Sequence, residues 1–129
     1  MKPGAGTSGR AAAGGELVWR FVALAIVVAL FAGGRHTPAV AGLIALPWDK
    51  LMHATTFGVL ALSLVRGFSL PLVWVGLTAA LFGVADELHQ TTLPGRDPSV
   101  GDWVADLVGV ALVLTWLWWR HRASCTNRS

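Results

Sequence analysis

Four stretches of this chain are apolar on every side of a helix: Leu17–Ala32, Leu51–Val65, Leu70–Ala85 and Trp103–Trp119. A helix at the surface of a soluble bundle carries one apolar stripe and a polar opposite face. Here Phe21–Ala32 and Val108–Leu114 contain no polar side chain at all. In a chain of 129 residues, a four-helix bundle has too little interior to hide every face of every helix. Lipid is the simpler sink, so the expected fold is all-α: a polytopic membrane protein, a bundle of four transmembrane helices. Each segment is shorter than the roughly 20 residues that span a bilayer and must borrow flanking residues. Composition agrees, with 54% apolar and 13% charged residues, where a soluble domain has roughly 25% charged.

Tryptophan placement supports the same reading, because its ring prefers the membrane interface, apolar body buried and N–H wet. Trp19 and Trp48 flank segments, Trp103 opens the last one, and Trp116, Trp118 and Trp119 close it. Small residues four apart, Gly76 with Ala80, Ala79 with Gly83 and Ala105 with Gly109, suit close helix approach. Residues 1–16, rich in Gly, Ala and Ser, are expected to form a flexible N-terminal tail. Residues 17–119 form the four-helix domain, and residues 120–129 a basic tail. The single cysteine, Cys125, excludes an internal disulfide and a cysteine metal site.

Orientation follows from Lys and Arg. With four spans, Lys2, Arg10, Arg20, Arg66, Arg120, Arg122 and Arg128 fall on one side, and Arg35, Lys50 and Arg96 on the other. The positive-inside rule then puts both termini in the cytoplasm. The net charge of +3 is spread along the chain and its ends, so no nucleic-acid surface is indicated. An alternative makes the first segment a signal peptide, cleaved after Ala39-Val40-Ala41, which leaves three spans.

Acidic residues divide the opposite way and gather, in three clusters, at the outer ends. Asp49, Lys50 and His53 enter the second span, and Asp49 and His53 share a helix face with Phe57. An Asp–His pair can hold the imidazole in one tautomer and raise its basicity, as general acid/base work requires. The bland alternative has Asp49 stabilising the helix start and His53 packing on a neighbour. Asp86-Glu87-Leu88-His89-Gln90 closes the third span. Two carboxylates at a helix C-terminus are unfavourable and need a cation, a metal ion or a proton. The third cluster runs from Pro94-Gly95-Arg96-Asp97-Pro98 through Ser99 to Asp102 and Asp106. Its turn chemistry fixes Arg96 on a tight loop, and Ser99 with Asp102 has capping-box spacing, with Asp in place of Glu or Gln. Asp106 lies deepest and must be paired or protonated.

At these residues the chain resembles the VanZ-like family of small bacterial membrane proteins, named after an accessory factor of teicoplanin (glycopeptide) resistance. The family pattern Asp-Lys-x-x-His with a following aromatic falls on Asp49, Lys50, His53 and Phe57. Asp-Glu-x-x-Gln falls on Asp86, Glu87 and Gln90, and the Pro-Gly-Arg turn on Pro94, Gly95 and Arg96. Asp-x-x-x-Asn-x-x-Gly falls on Asp102, Asp106 and Gly109, with Asp106 replacing the usual Asn. The resemblance implies a multi-pass protein of the bacterial plasma membrane, acting at the cell envelope.

Three functions suit such a chain. The first is an enzyme acting at the outer leaflet on a lipid-linked or cell-wall-related substrate. In it His53, Asp49, Glu87 and Asp86 are the catalytic candidates, and Arg96, Lys50, Gln90, Asp102 and Asp106 bind substrate, with Arg96 and Lys50 on an anionic group. The second is a non-catalytic protein that captures a lipid or a lipoglycopeptide antibiotic. The third is a structural or partner-binding module whose polar cluster only locks helix packing. No nucleophile motif or standard zinc signature stands in the sequence, so no cofactor or metal is expected, and a divalent cation held by the carboxylates is an alternative that the spacing does not indicate. The bilayer itself is the first partner.

Overall fold

The computed structural model describes residues 6–33, 48–93 and 98–126. They form four helices: α1 (Gly6–Gly33), α2 (Trp48–Phe68), α3 (Leu72–Gln90) and α4 (Val100–Thr126). Each contains a stretch long and apolar enough to cross a membrane, and no strand occurs among the described residues. The chain is an all-α, multi-pass membrane protein. The cleavage run 39–41 lies outside the described residues.

The helices are longer than the apolar segments, which resolves the apparent shortness of the spans. α1 starts at Gly6, inside the stretch expected to be a flexible tail. Once a helix is nucleated, extending it costs little, and Ala11–Ala13 are the best helix formers. α4 likewise continues past Trp119 into the basic tail as far as Thr126. There the guanidinium of Arg120 lies over the Trp116 ring at 5.0 Å and that of Arg122 over Trp118 at 4.1 Å. Ser124 Oγ donates back to the Arg120 carbonyl, 3.0 Å away.

α2 is the central helix, lying against α1, α3 and, most extensively, α4. Its buried face, Phe57, Leu60, Ala61 and Leu64, meets Ala23 of α1, Val75 and Ala79 of α3 and Val110 of α4. Outward-facing side chains are larger and no less apolar: Phe21, Leu24 and Val28 on α1, Val73, Leu77 and Leu81 on α3, Leu112 and Trp119 on α4. Such a surface fits a lipid environment and no aqueous one.

Glycines set how closely the helices cross. Gly109 of α4 lies with its α-carbon directly against the Ala54 backbone of α2, where no β-carbon fits. Gly58, one turn on from Ala54, faces the Gly109 carbonyl. At the opposite end, Arg20 Nε donates to the Gly67 carbonyl at 2.6 Å, and a β-carbon on Gly67 would stand 2.9 Å from the Arg20 amide nitrogen. α2 is closed by Ser69, just past its end, which takes a positive φ of 53° while its N–H closes onto the Val65 carbonyl at 3.0 Å. Pro71 then precedes α3 with a non-helical backbone. This hairpin and the docking of α1 leave Arg20, Arg66 and Arg120 at one end of the bundle. The first turns of α2 and α4 and the last turn of α3 meet at the other.

Candidate functional site

The site is a consequence of the α2–α4 crossing. Because Gly109 admits the Ala54 backbone, His53, next to Ala54 on α2, and Asp106, about one turn before Gly109 on α4, are brought face to face. His53 Nδ1 lies 2.9 Å from Asp106 Oδ1, with the Asp106 side chain 1% exposed and that of His53 11%. An ionised carboxylate only accepts hydrogen bonds, so Nδ1–H donates and the Nε2 lone pair is left available. This is the geometry by which a buried carboxylate holds a histidine as a general base.

Helical spacing makes Asp49 the expected orienting residue, whereas the carboxylate in hydrogen-bonding contact with Nδ1 is Asp106. Asp49 sits in the first turn of α2, where a carboxylate favourably meets the helix N-terminus. Its side chain is about a third exposed and lies 4.0 Å from Lys50 Nζ. Spacing along α2 brings Asp49 near His53, while the hydrogen-bonding partner comes from across the crossing.

Lys50 reaches α4, pairing directly with Asp102 Oδ1 and standing 3.5 Å from Ser99 Oγ. Two residues expected to bind substrate thus bind each other. The expected capping box is also rebuilt. Ser99 Oγ accepts the Gly101 N–H at 3.1 Å, but Asp102 is engaged with Lys50. Glu87 of α3 takes its place: its Oε2 accepts the Ser99 N–H at 2.8 Å. The start of α4 is therefore capped from another helix.

Asp86 is 2% exposed, and Gln90, one turn on, donates to its Oδ2 at 3.0 Å. Gln90 is thus a positioner of Asp86. Among the described residues no Lys or Arg pairs with Asp86 or Glu87. Two carboxylate oxygens are buried with no hydrogen-bond partner: Glu87 Oε1 and Asp106 Oδ2. The latter turns toward α3, where it lies 3.2 Å from the position a β-carbon on Gly83 would take. Gly83 is thus part of the site, as is Ser99 through its amide. The sequence hinted at Gly83 only through its four-residue spacing from Ala79, and gave no sign of Ser99's second partner.

One ligand atom each from His53, Asp86 and Glu87 lie within 4.8 Å of one another, and the same holds for Asp49, His53 and Asp102. His89 lies at a tilt against Phe31 of α1 with ring centroids 5.4 Å apart, its Nε2 buried without a hydrogen-bond partner. Arg96 and its turn, residues 94–97, lie outside the described residues. A cavity of about 750 Å³ lies at the opposite end, lined by Arg66, Pro71, Arg120 and His121 among others. It includes none of the candidate residues.

Three helix ends, each supplying carboxylates at one level, with a lysine and a histidine between them, make the pattern that the sequence resemblance rests on. No curated protein and no solved structure matches the chain. A model of the VanZ/LLP1 family matches residues 12–121, a range that takes in all four apolar segments and every candidate residue, and the chain belongs to that family.

Proposed function

We propose that this protein is a membrane-embedded enzyme performing general acid/base chemistry on an anionic, lipid-linked substrate of the cell envelope. The observation that carries the reading is the buried His53–Asp106 pair, 2.9 Å apart, at the level where three helix ends bring carboxylates together. In this mechanism Asp106 holds the imidazole, and His53 Nε2 takes a proton from a water or hydroxyl nucleophile. The deprotonated oxygen forms a bond to the substrate's phosphorus, and the proton returns from Nε2 to the departing oxygen as its bond to phosphorus breaks. Lys50, and Arg96 from the 94–97 turn, supply the positive charge that receives a phosphate-like headgroup. Lys50 exchanges part of its contact with Asp102 for the substrate. Seven Lys and Arg residues fall on the side of the termini and three on the side of the site, which supports cytoplasmic termini and a site facing the outer leaflet.

The test is turnover of polyprenyl phosphate and diphosphate substrates by the protein in lipid nanodiscs, read by mass spectrometry. His53→Ala abolishes turnover while leaving the fold intact, and Asp106→Asn lowers it at least tenfold. Unchanged turnover in both variants refutes the assignment. A second reading is favoured by the Lys50–Asp102 pair and the Glu87–Ser99 cap: the cluster only locks helix ends. In that case each variant changes melting temperature and membrane abundance, with no separate loss of activity. Growth against teicoplanin, with variants matched for abundance, tests whether the site bears on a lipoglycopeptide.

A further inference from the structure

We infer that His53, Asp86 and Glu87 hold a divalent cation, of the kind that accepts mixed nitrogen and oxygen ligands, such as Zn²⁺ or Mn²⁺. One donor atom from each lies within 4.8 Å of the others; donors about 2.0–2.2 Å from one tetrahedral ion stand about 3.5 Å apart, so a closure of about an ångström completes the site. The independent observation is Asp106. Its side chain is 1% exposed, and Oδ2 is buried without a partner. That oxygen faces α3 over Gly83, one turn before Asp86 and Glu87. A buried, unpartnered carboxylate oxygen beside two further carboxylates is costly unless positive charge stands among them.

The remaining contacts leave the right atoms free. Glu87 Oε2 is used on the Ser99 amide, so Oε1, buried and unpartnered, is the oxygen available to an ion. Gln90 fixes the Asp86 carboxylate. His53 gives its Nδ1–H to Asp106, the arrangement in which an outer carboxylate orients a ligating histidine and strengthens it as a donor. The other grouping, Asp49 with His53 and Asp102, has a different balance, since Lys50 already neutralises Asp102. The cation therefore belongs on the α3 side. The absence of a zinc signature in the sequence is no obstacle, because these ligands come from two helices and no local spacing encodes them.

A bound ion occupies the His53 Nε2 lone pair that the acid/base mechanism uses, so one molecule has one role or the other at a time. Any service of the ion to catalysis, such as receiving a phosphate-like group, rests on the enzymatic reading. The binding site itself does not. The measurement is Mn²⁺ binding to chelator-stripped protein in nanodiscs, followed by electron paramagnetic resonance, with Zn²⁺ as competitor. One saturable equivalent is expected, displaced by Zn²⁺. Glu87→Gln and Asp86→Asn each weaken binding at least tenfold, and Asp106→Asn weakens it about 10- to 100-fold. Asp49→Asn retains it. Absence of saturable binding in folded protein overturns the inference, as does binding that survives both Glu87→Gln and Asp86→Asn or is lost in Asp49→Asn alone. Using two near-isosteric variants on α3 keeps the test valid if one misfolds. Stripped protein that binds no ion yet turns over substrate refutes this site and spares the acid/base reading. Protein that binds the ion with this variant pattern but turns over no lipid-linked substrate supports the site and refutes the enzyme.

Discussion

Gly109→Ala should separate α2 from α4 and disable the site without touching a polar residue. A β-carbon there would fall on the Ala54 carbonyl and α-carbon, and a backbone cannot move aside by changing rotamer. Overpacking of this kind costs about 1–3 kcal/mol, and backbone contact puts it at the upper end. The gain in helix propensity from Gly to Ala returns roughly 1 kcal/mol, leaving a net loss of about 2 kcal/mol. Gly76 is the internal control: its nearest neighbour is the Leu114 Cδ1 methyl at 3.4 Å, a flexible side-chain end. Gly76→Ala should therefore be neutral or stabilising by about 0.5–1 kcal/mol. Gly58→Ala, whose β-carbon would meet the Gly109 carbonyl oxygen at 3.3 Å and Val113 Cγ2 at 3.4 Å, should fall between them. Reversible unfolding in mixed micelles, followed by tryptophan fluorescence, gives the three values. A displacement of about 1 Å also takes the His53–Asp106 contact out of hydrogen-bonding range, so turnover falls with stability in Gly109→Ala alone. Equal effects at Gly109 and Gly76 would refute the crossing as the element that assembles the site.

Two further perturbations test other joints of the structure. Lys50→Met leaves Asp102, whose side chain is 9% exposed, without its cation and should cost about 1–3 kcal/mol; adding Asp102→Asn should recover part of that, and a double-mutant cycle with no coupling would show that the pair does not hold α2 to α4. Ser69→Gly relieves a positive φ of 53° at the end of α2 and should stabilise by about 0.5 kcal/mol, the relief of left-handed strain exceeding the added entropy of the unfolded chain; a lower thermal midpoint would contradict that backbone assignment.

Much of the architecture could be read along the chain because lipid simplifies the code. Segments such as Phe21–Ala32, apolar on all sides, have one explanation, and the α-helix has one hydrogen-bond pattern that satisfies it. The grouping of Asp49, His53, Asp86, Glu87, Asp102 and Asp106 at one end was equally legible, since it needs only the number of spans. Pairing between the helices was not. Spacing along one helix offers His53 only Asp49 as a partner, whereas the crossing at Gly109 gives it Asp106. The depth and rotation of that crossing depend on a glycine that carries no chemistry of its own. The Glu87 cap on Ser99 was hidden for the same reason: a capping box is a local pattern, and here its acceptor comes from α3. The helical extension of α1 to Gly6 was missed because composition measures what a segment can bury, while a segment continuous with a packed helix needs to bury nothing.

Asp106 concentrates these points. An asparagine, the residue the sequence resemblance leads one to expect there, would accept the His53 Nδ1–H through its amide oxygen and turn an NH₂ toward α3. That arrangement would be neutral and would place donors opposite Asp86 and Glu87. Aspartate keeps the hydrogen bond to His53 at 2.9 Å but puts an oxygen where the donors would be, and that oxygen has no partner. The exchange makes His53 a stronger base or ligand, because a charged acceptor stabilises positive charge on the ring or on an ion bound to it. It also adds negative charge to a corner that already contains two carboxylates. Both consequences favour a positive centre between α2 and α3, either on His53 itself during turnover or as a bound cation. The departure from the family pattern at this one position therefore bears on how the cluster is neutralised, and Asp106→Asn is the variant in which the two origins of that charge separate.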